Sequence, residues 1–275
     1  MATRDIVCKL RIMIDIFSLS VEELVLKIKD AQLTSVEVCK KYIERINEFE
    51  KDVKAWAYFD KKILLEKAAD ADEYRKSGKP TGPLHGVPVA IKDIIGTVDM
   101  PTECGTVIRK GKSYSQNAEI VELLHSAGAI VMGKTTTSEL AYLGPSKTTN
   151  PHDYSRTPGG SSSGSAASVA SLMAPLSIGS QTGGSIIRPA SYCGVVGYKP
   201  SYGLISRNGV LRTSYALDHI GMFGQTVQDV ALLAKVLIKK DYHDPATIYY
   251  SVENILEETK KGPLFEPKFI FYKSD

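Results

Sequence analysis

The stretch from Pro158 to Ser185 reads PGGSSSGSAASVASLMAPLSIGSQTGGS, and its composition governs the interpretation of the whole chain. Of its 28 residues, 19 are Gly, Ser or Ala, so bulky side chains are few. Small residues let two backbones approach closely, and glycine also adopts backbone angles that other residues avoid. Two serines, Ser161 and Ser185, each end a Gly-Gly-Ser run. We therefore expect backbones and a bound molecule to come close together here.

A flexible Gly/Ser linker is the alternative interpretation of this composition. Against it, the segment Ala166–Ala174 has helical propensity, and apolar side chains recur through the stretch at Val169, Leu172, Met173, Leu176 and Ile178. Linkers that stay flexible lack such side chains, because burial of apolar groups in a core lowers the free energy of the folded state. The stretch is therefore predicted to be folded.

Serine is a weak nucleophile unless a neighbouring base takes its proton. The five histidines, at positions 85, 125, 152, 219 and 243, show no motif that supplies one. Lys92 is the better candidate, since it lies near the end of the β-type run Gly86–Asp93. Side chains alternate along a strand, so Lys92 points away from Asp93 and from the face that carries Val87, Val89 and Ile91.

Helical and strand-like segments alternate along the chain. Capping boxes at Ser20–Glu23 and Thr34–Glu37 predict two helix starts, with the first helix ending near Lys29. Further helices are predicted over 61–76, 118–127 and 227–238, and strands over 86–93, 129–132, 194–197 and, at the end of the chain, 269–272. This alternation predicts an α/β fold with a mixed or parallel central sheet.

The composition is that of an ordinary globular protein, with 275 residues of which 43% are hydrophobic and 24% charged. Thirty-four basic and 31 acidic side chains give a net charge of +3, which is too balanced to predict nucleic acid as a partner. The four cysteines are scattered and no histidine pair has ligand spacing, so no metal site is predicted. The cysteines are expected to be buried thiols in a reducing compartment.

No apolar run approaches the roughly 18 to 20 residues that span a bilayer, so no membrane association is predicted. The basic, apolar beginning resembles a signal peptide, but Asp15 interrupts it and no small-residue cleavage site follows. We expect a cytoplasmic protein in which residues 1–12 form an extension before a domain of residues 13–275.

Two short motifs compete with this interpretation. Gly128–Thr135 matches the phosphate-binding pattern GxxxxGK[ST], but that pattern needs a loop where this chain has an apolar, β-prone run. We interpret it as a buried strand that leaves the sheet at Gly133. Gly160–Gly164 matches GxSxG with Ser162 at the centre, but a nucleophile elbow needs a preceding strand, and residues 150–158 are turn formers.

Several motifs, in order and with matching separations, resemble the amidase signature family. Such a series is more specific than any single pattern, and it covers roughly residues 18–240. The stretches are Leu84–Asp93 (LHGVPVAIKD), Met132–Thr135 (MGKT) with Glu139, Gly159–Ser165 (GGSSSGS), Gly179–Ala190 (GSQTGGSIIRPA), Cys193–Pro200 (CGVVGYKP) and Ser214–Gly221 (SYALDHIG).

The resemblance implies roles for the three residues singled out above. Ser185 falls where the family has its nucleophile, Ser161 on a bridging serine held by a cis peptide, and Lys92 on the general base. Family members hydrolyse amides through an acyl-enzyme, and some also cleave esters. The resemblance further implies an α/β/α layered fold with a mixed central β-sheet covered by helices, and chemistry that uses no cofactor and no metal.

The turn that ends at Ser185 is predicted to lead into a helix and to bind the oxyanion through the backbone N–H groups of Thr182, Gly183 and Gly184. Ser162 and Gln181 are expected to contact the substrate. Lys92 can act as a base only if burial lowers its pKa from about 10.4 toward about 7 or 8.

The sequence departs from the family pattern at several positions. Gln181 stands where many members, including the tRNA-dependent amidotransferase subunits, carry Asp, and Ser163 replaces a glycine. Ile187 stands where those members carry Arg, and Arg188 follows one place later. These departures favour the simple amidases of the family. Members also continue past the strand predicted at 269–272, so the domain is expected to lack the usual C-terminal portion.

The predicted function is therefore an amidase that hydrolyses the C–N bond of small linear amides, and of some esters, through a Ser185 acyl-enzyme. One alternative is an amidotransferase A-type subunit that releases ammonia from glutamine for a partner. The other is a catalytically inactive, truncated chain. The expected partners are a small amide or ester and, because an unfinished sheet leaves an open edge, a second copy of the chain in a homodimer.

Overall fold

The strand-like stretches of the sequence come together in one six-stranded sheet. The structure is a computed structural model that describes residues 15–262 and 265–271. The strands are β1 (Trp56–Phe59), β2 (Pro88–Lys92), β3 (Ile130–Thr135), β4 (Leu176–Gln181), β5 (Val196–Tyr198) and β6 (His219–Gly224). Most of the strand residues are apolar and buried, and they form the centre of the core.

The sheet is mixed, with strand order β1-β3-β2-β4-β6-β5. Strand β2 lies at the centre and runs parallel to both β3 and β4, whereas β1, β6 and β5 pair antiparallel with their neighbours. The carboxyl ends of β2, β3 and β4 therefore meet at one edge of the sheet. The predicted α/β fold with a mixed central sheet is confirmed.

The helices begin where the sequence supplies a cap. Both predicted capping boxes are present, Ser20 with Glu23 and Thr34 with Glu37, and a third joins Thr226 to Asp229. The helices are α1 (Val21–Lys29), α2 (Ser35–Val53), α3 (Lys61–Lys76), α4 (Glu119–Ser126), α5 (Ser163–Ala170), α6 (Ile187–Cys193), α7 (Val227–Leu237) and α8 (Ile255–Glu258). Predicted and observed helices agree closely, except that α5 begins three residues before the segment 166–174 and ends four residues earlier.

Helices α5 and α7 cover opposite faces of the sheet. A Cβ at Gly224 of β6 would lie 3.1 Å from the Cβ of Asp229 in α7, whereas one at Gly179 of β4 would lie 2.7 Å from the Ser162 hydroxyl at the start of α5. Leu176 of β4 pairs with Gly224, so these two positions lie on the same face of the sheet. Gly179 lies three residues beyond Leu176 in the same strand, an odd number, so it lies on the other face. Because side chains alternate along a strand, the two contacts lie on opposite faces, which confirms the α/β/α layers.

The small residues are used where backbones approach each other. A Cβ at Gly164 in α5 would overlap the Ala55 carbonyl oxygen and the Thr136 backbone nitrogen. The hydroxyl of Ser165, one residue later, donates to the Ile178 carbonyl of β4 at 3.1 Å. Helix α5 is therefore packed directly on the sheet backbone, as the Gly/Ser/Ala composition predicts.

Two strand predictions need correction. The run at 129–132 does not leave the sheet at Gly133, because β3 stays paired with β2 as far as Thr135, past a register shift between Val89 and Ala90. The strand predicted at 269–272 is wrong for its described residues: Phe269, Ile270 and Phe271 are more than 85% exposed and pair with no strand in residues 15–262. Tyr272 and the extension predicted at residues 1–12 lie outside the described residues.

Within the described parts of the chain, no helix combines the length and the apolar character that crossing a bilayer requires.

Candidate active site

The amine-bearing side chain of Lys92 ends β2 inside the protein. It is fully buried, with 0% of its surface exposed. Its Nζ lies 2.8 Å from the Ser161 hydroxyl and 3.0 Å from the Ser180 hydroxyl, and it donates to both. Asp93 points elsewhere and accepts from the backbone N–H groups of Glu103 and Gly105, so the predicted alternation along this strand is confirmed.

The surroundings of Lys92 favour the neutral amine. Burial removes water from the ammonium group and lowers the pKa of Lys92 from 10.5 to about 7. The nearby charge of Asp218, and to a smaller extent Cys104, raises this pKa without outweighing burial. Near neutral pH the side chain therefore holds a lone pair next to the Ser161 hydroxyl, as a general base requires.

Ser161 lies in the loop before α5 and is almost completely buried. The peptide bond between Gly160 and Ser161 is cis, as the family resemblance implies. The backbone of this loop is held from two sides. The Ser161 carbonyl accepts from the N–H of Ser138 at 3.2 Å, and the Gly160 carbonyl accepts from Arg188.

Ser185 follows β4 at the same edge of the sheet as Lys92. The amide oxygen of Gln181 accepts from the backbone N–H groups of Ile186 at 2.7 Å and Ile187 at 3.0 Å, which folds the intervening turn back over the strand end. Ser185 is 8% exposed, and its hydroxyl forms no hydrogen bond with any described residue. The structure thus contains the Lys92–Ser161 link of the predicted relay but not a Ser161–Ser185 hydrogen bond.

Asp218 anchors the turn before Ser185 to the loop before β6. Its buried carboxylate accepts from the Thr182 hydroxyl at 2.5 Å and from the Thr213 hydroxyl at 2.8 Å. It also accepts from the backbone N–H groups of Thr213 and Ser214. These bonds lower the pKa of Asp218 although burial raises it, so the group stays ionised near Lys92.

The two glycines of the turn face open space. A Cβ at Gly183 would meet no atom within 4 Å, and one at Gly184 would meet only the Arg188 side chain at 3.8 Å. Neither has a positive φ. Packing and backbone conformation therefore do not require glycine here, which leaves close approach of a ligand as a reason for it.

Ser162 and Gln181 are engaged by the protein backbone. The Ser162 hydroxyl is completely buried and donates to the Ser180 carbonyl at 3.1 Å. The Gln181 amide oxygen shapes the turn as described above. Their expected contact with substrate stays a prediction, and both have a scaffold role in this structure.

The GxSxG alternative is also disfavoured by geometry, since no strand directly precedes Ser162 among the described residues.

Two residues of the site, Ser180 and Asp218, were not predicted from the sequence. The motif GSQTGGS contains Ser180, but strand alternation alone does not show which serine of the motif meets a lysine from another strand. Asp218 is 126 residues from Lys92 along the chain, and only the β4–β6 pairing, which sets Gln181 opposite His219, brings the two regions together.

Comparisons with known proteins agree with this geometry. The sequence matches the family model described as Amidase over residues 37–269. It is 42% identical over 238 residues to the A-type subunit of glutamyl-tRNA(Gln) amidotransferase from Carboxydothermus hydrogenoformans, a match that covers 84% of this chain and 48% of that protein. The chain spans about half the length of the curated relatives it matches.

Two solved structures show the same fold. The peptide amidase of Stenotrophomonas maltophilia superimposes with a TM-score of 0.82 at 32% identity, over 87% of this chain and 52% of that one. The A-type subunit of glutamyl-tRNA(Gln) amidotransferase from Thermotoga maritima superimposes with a TM-score of 0.73 at 34% identity, over 87% and 51%. With the family match, the fold and the buried lysine–serine pair in agreement, the chain belongs to the amidase signature family.

Proposed function

We propose that the chain is an amidase that hydrolyses the C–N bond of small linear amides to a carboxylate and ammonia or an amine. The observation that carries this proposal is the buried Lys92 amine, whose pKa is lowered to about 7 and whose Nζ lies 2.8 Å from the Ser161 hydroxyl. A neutral amine beside a hydroxyl, at the strand edge that also carries Ser185, is the arrangement that activates a serine.

The first half of the reaction forms the acyl-enzyme. Neutral Lys92 takes a proton from Ser161, which takes one from Ser185 as that hydroxyl turns toward it. The Ser185 Oγ bonds to the carbonyl carbon, and the carbonyl oxygen becomes an oxyanion. As the C–N bond breaks, Lys92 returns its proton to Ser161, and Ser161 gives its own proton to the leaving nitrogen.

The second half uses water in place of the amine. Water gives a proton to the relay and attacks the acyl carbon. The bond to Ser185 Oγ then breaks, which releases the carboxylate and returns the hydroxyl. We assign the oxyanion to backbone N–H groups of Thr182, Gly183 and Gly184, since the two glycines adjoin open space. Such a donor typically lowers the barrier by about 3 to 4 kcal/mol. The same acyl-enzyme extends the proposal to esters.

The test combines substitution with a panel of substrates. Ser185→Ala and Lys92→Ala should each remove nearly all hydrolysis of aliphatic and aromatic amides and of p-nitrophenyl esters, and Ser161→Ala should reduce it by several orders of magnitude. Circular dichroism and a thermal melt should show that each variant is folded. Retained turnover in Ser185→Ala would end this mechanism.

A second candidate is an amidotransferase A-type subunit that releases ammonia from glutamine for a partner. The names and the 39–42% identity of the curated relatives favour it. Glutaminase activity that exceeds hydrolysis of simple amides, together with co-purification of partner subunits, would select this candidate. Hydrolysis of simple amides by the isolated chain would select the amidase.

The third candidate, an inactive chain, is motivated by the chain spanning about half the length of its relatives. A fluorophosphonate probe separates it from the other two, because the probe reacts only with an activated serine. Labelling that Ser185→Ala abolishes would exclude an inactive chain. The cytoplasmic location and the homodimer stay predictions.

A further inference from the structure

A second cavity lies at the opposite end of the central strands from Lys92. It encloses about 530 Å³ between α3, α4 and the segments that lead into β2 and β3. We call it the His85 cavity, and the lining residues that matter for its chemistry are Lys67, Ala71, Tyr74, His85, Gly128 and Val131. His85 precedes β2 whereas Lys92 ends it, so the cavity is separate from the candidate active site. Its volume is in the range of sites that bind small organic molecules.

His85 presents a hydrogen-bond acceptor that the protein does not use. The residue is 4% exposed. Its Nε2 lies 3.0 Å from the Ala71 carbonyl oxygen, which can only accept, so Nε2 carries the hydrogen and Nδ1 has a lone pair. Burial lowers the pKa of His85, which keeps the ring neutral near pH 7. Within residues 15–262 and 265–271, no donor bonds to Nδ1.

Gly128 leaves this nitrogen open toward the cavity. A Cβ at position 128 would lie 2.9 Å from the His85 Nδ1 and would cover it. The backbone N–H groups of Gly128 and Ala129 cannot serve Nδ1, because they already donate to the carbonyls of His125 and Leu124, at 2.9 and 3.0 Å. A partner for Nδ1 must therefore come from inside the cavity.

Lys67 provides a donor at some distance from this acceptor. Its Nζ donates to the Asp99 carboxylate at 2.5 Å and to the Val131 carbonyl at 3.4 Å. An ammonium group has three hydrogens, so one stays available, while Asp99 balances the charge. Val131 is three residues beyond Gly128, at most about 11 Å along the chain. A molecule that uses both groups therefore needs a donor at one end and an acceptor at the other.

The remaining walls favour a neutral, flat molecule. Tyr74 contributes an aromatic ring, and aromatic rings pack well against other rings. Asp70 and His125 also line the cavity, but both are exposed to solvent. A charged ligand would lose hydration here without gaining a buried partner of opposite charge. The aliphatic part of the wall consists of Ala71, Pro80, Ala129, Ile130 and Val131.

We propose that the His85 cavity is a second binding site, for a neutral aromatic heterocycle whose ring N–H donates to His85 and whose carbonyl at the far end accepts from Lys67. The site is independent of the proposed amidase chemistry. The competing explanation is that water alone occupies the cavity and bonds to Nδ1. A ligand that bonds to Nδ1 must lose affinity when its N–H is removed, whereas a cavity that holds only water makes no such distinction.

The experiment measures binding of 5-acetylindole to the full chain by calorimetry, with two analogues of nearly the same shape. 5-Acetyl-1-methylindole lacks the N–H and should bind at least about fivefold more weakly, because a buried acceptor is left without a partner. 5-Isopropenylindole lacks the carbonyl oxygen and should bind about threefold more weakly or worse, since the Lys67 ammonium is partly exposed.

Variants locate the site. Ala71→Leu places a larger side chain in the cavity and should weaken binding of 5-acetylindole at least about tenfold. Ala69→Leu is the matched control, because Ala69 is exposed on the same helix and is not part of the cavity wall, so it should leave binding unchanged. Tyr74→Ala removes a side chain that is 44% exposed and should also weaken binding. Thermal melts should show that each variant is folded.

Three results would each overturn the assignment: no saturable binding of 5-acetylindole to the wild-type chain, equal affinity for its 1-methyl analogue, or full affinity in both Ala71→Leu and Tyr74→Ala.

Discussion

Replacing Lys92 by Met should abolish activity and stabilise the fold at neutral pH. Burial lowers the pKa of this side chain from 10.5 to about 7. At about 1.4 kcal/mol per pKa unit, this shift corresponds to about 5 kcal/mol of folding free energy at pH 7. Met lacks this cost but leaves the Ser161 and Ser180 hydroxyls without their partner, a loss of about 1 kcal/mol each. The net gain in stability should be about 3 kcal/mol.

The pH dependence of this stability difference shows whether the titration of the Lys92 amine causes it. Between pH 7 and 10.5, the unfolded chain carries a proton on Lys92 that the folded chain lacks, so folding of the wild type becomes more favourable as the pH rises. The destabilising contribution of Lys92 is fully present at and below about pH 7 and has vanished above pH 10.5. The advantage of Lys92→Met should therefore shrink by about 2 kcal/mol between about pH 7 and about pH 9.

Urea unfolding at about pH 7, 8 and 9 measures this difference in the free energy of unfolding. Lys62→Met is the matched control, because the Lys62 side chain is 84% exposed and its removal should give no such pH dependence. Lys134 is present in every variant, so its contribution to the pH dependence of the free energy of unfolding cancels in the comparison. A Lys92→Met variant that is less stable than wild type at neutral pH, or whose advantage does not change with pH, would refute the neutral, desolvated amine and with it the proposed base.

Three further results follow from the same site. The wild-type kcat/KM should rise with pH through about 7 and be about tenfold lower at pH 6 than at its plateau, because only neutral Lys92 accepts a proton. Asp218→Asn should move that midpoint to lower pH, since the Asp218 charge raises the pKa of Lys92; a pH–rate profile of each protein measures this. Ser180→Ala should lower kcat about tenfold with little change in KM, because Ser180 accepts one of the two hydrogen bonds that orient the amine; steady-state kinetics on one amide test it.

Each of these results has an outcome that contradicts it. A rate that does not vary from about pH 6 to about pH 9 would mean that Lys92 does not titrate in the active form. An unchanged or raised midpoint in Asp218→Asn would show that the carboxylate acts only on the Thr182 turn. A KM effect without a kcat effect in Ser180→Ala would assign that hydroxyl to substrate binding.

The sequence was most informative where one local rule decides the outcome. Alternation along β2 placed Lys92 on the face opposite Ile91, and the capping boxes placed the starts of α1 and α2. The small-residue stretch predicted the close packing of α5 on the sheet. In each case the deciding side chains are neighbours in the chain, so their pattern is visible without knowledge of the fold.

The predictions failed where the deciding contact is distant in sequence. Phe269–Phe271 has the composition of a strand, but a strand needs a paired neighbour, and none is present in the described residues. Asp218 and Ser180 gained their roles from strand pairing that the sequence does not encode locally. The start of α5 at Ser163 was missed because Ser and Gly have low helix propensity, which the close packing of this helix against the sheet overrides.

Burial alone does not make a base, as a second lysine in the same sheet shows. Lys134 is also 0% exposed, and desolvation lowers its pKa to about 8. Its Nζ, however, donates to the Ile95 carbonyl, which has no proton to give, and to the Thr102 hydroxyl, whose own proton is directed to that same carbonyl. By contrast, the Ser161 hydroxyl has no acceptor other than Lys92 among the described residues, so its proton is available to that amine. Lys134→Met should therefore leave the pH midpoint of kcat/KM at about 7, whereas a shift of that midpoint would mean that the two buried amines share the work of the base.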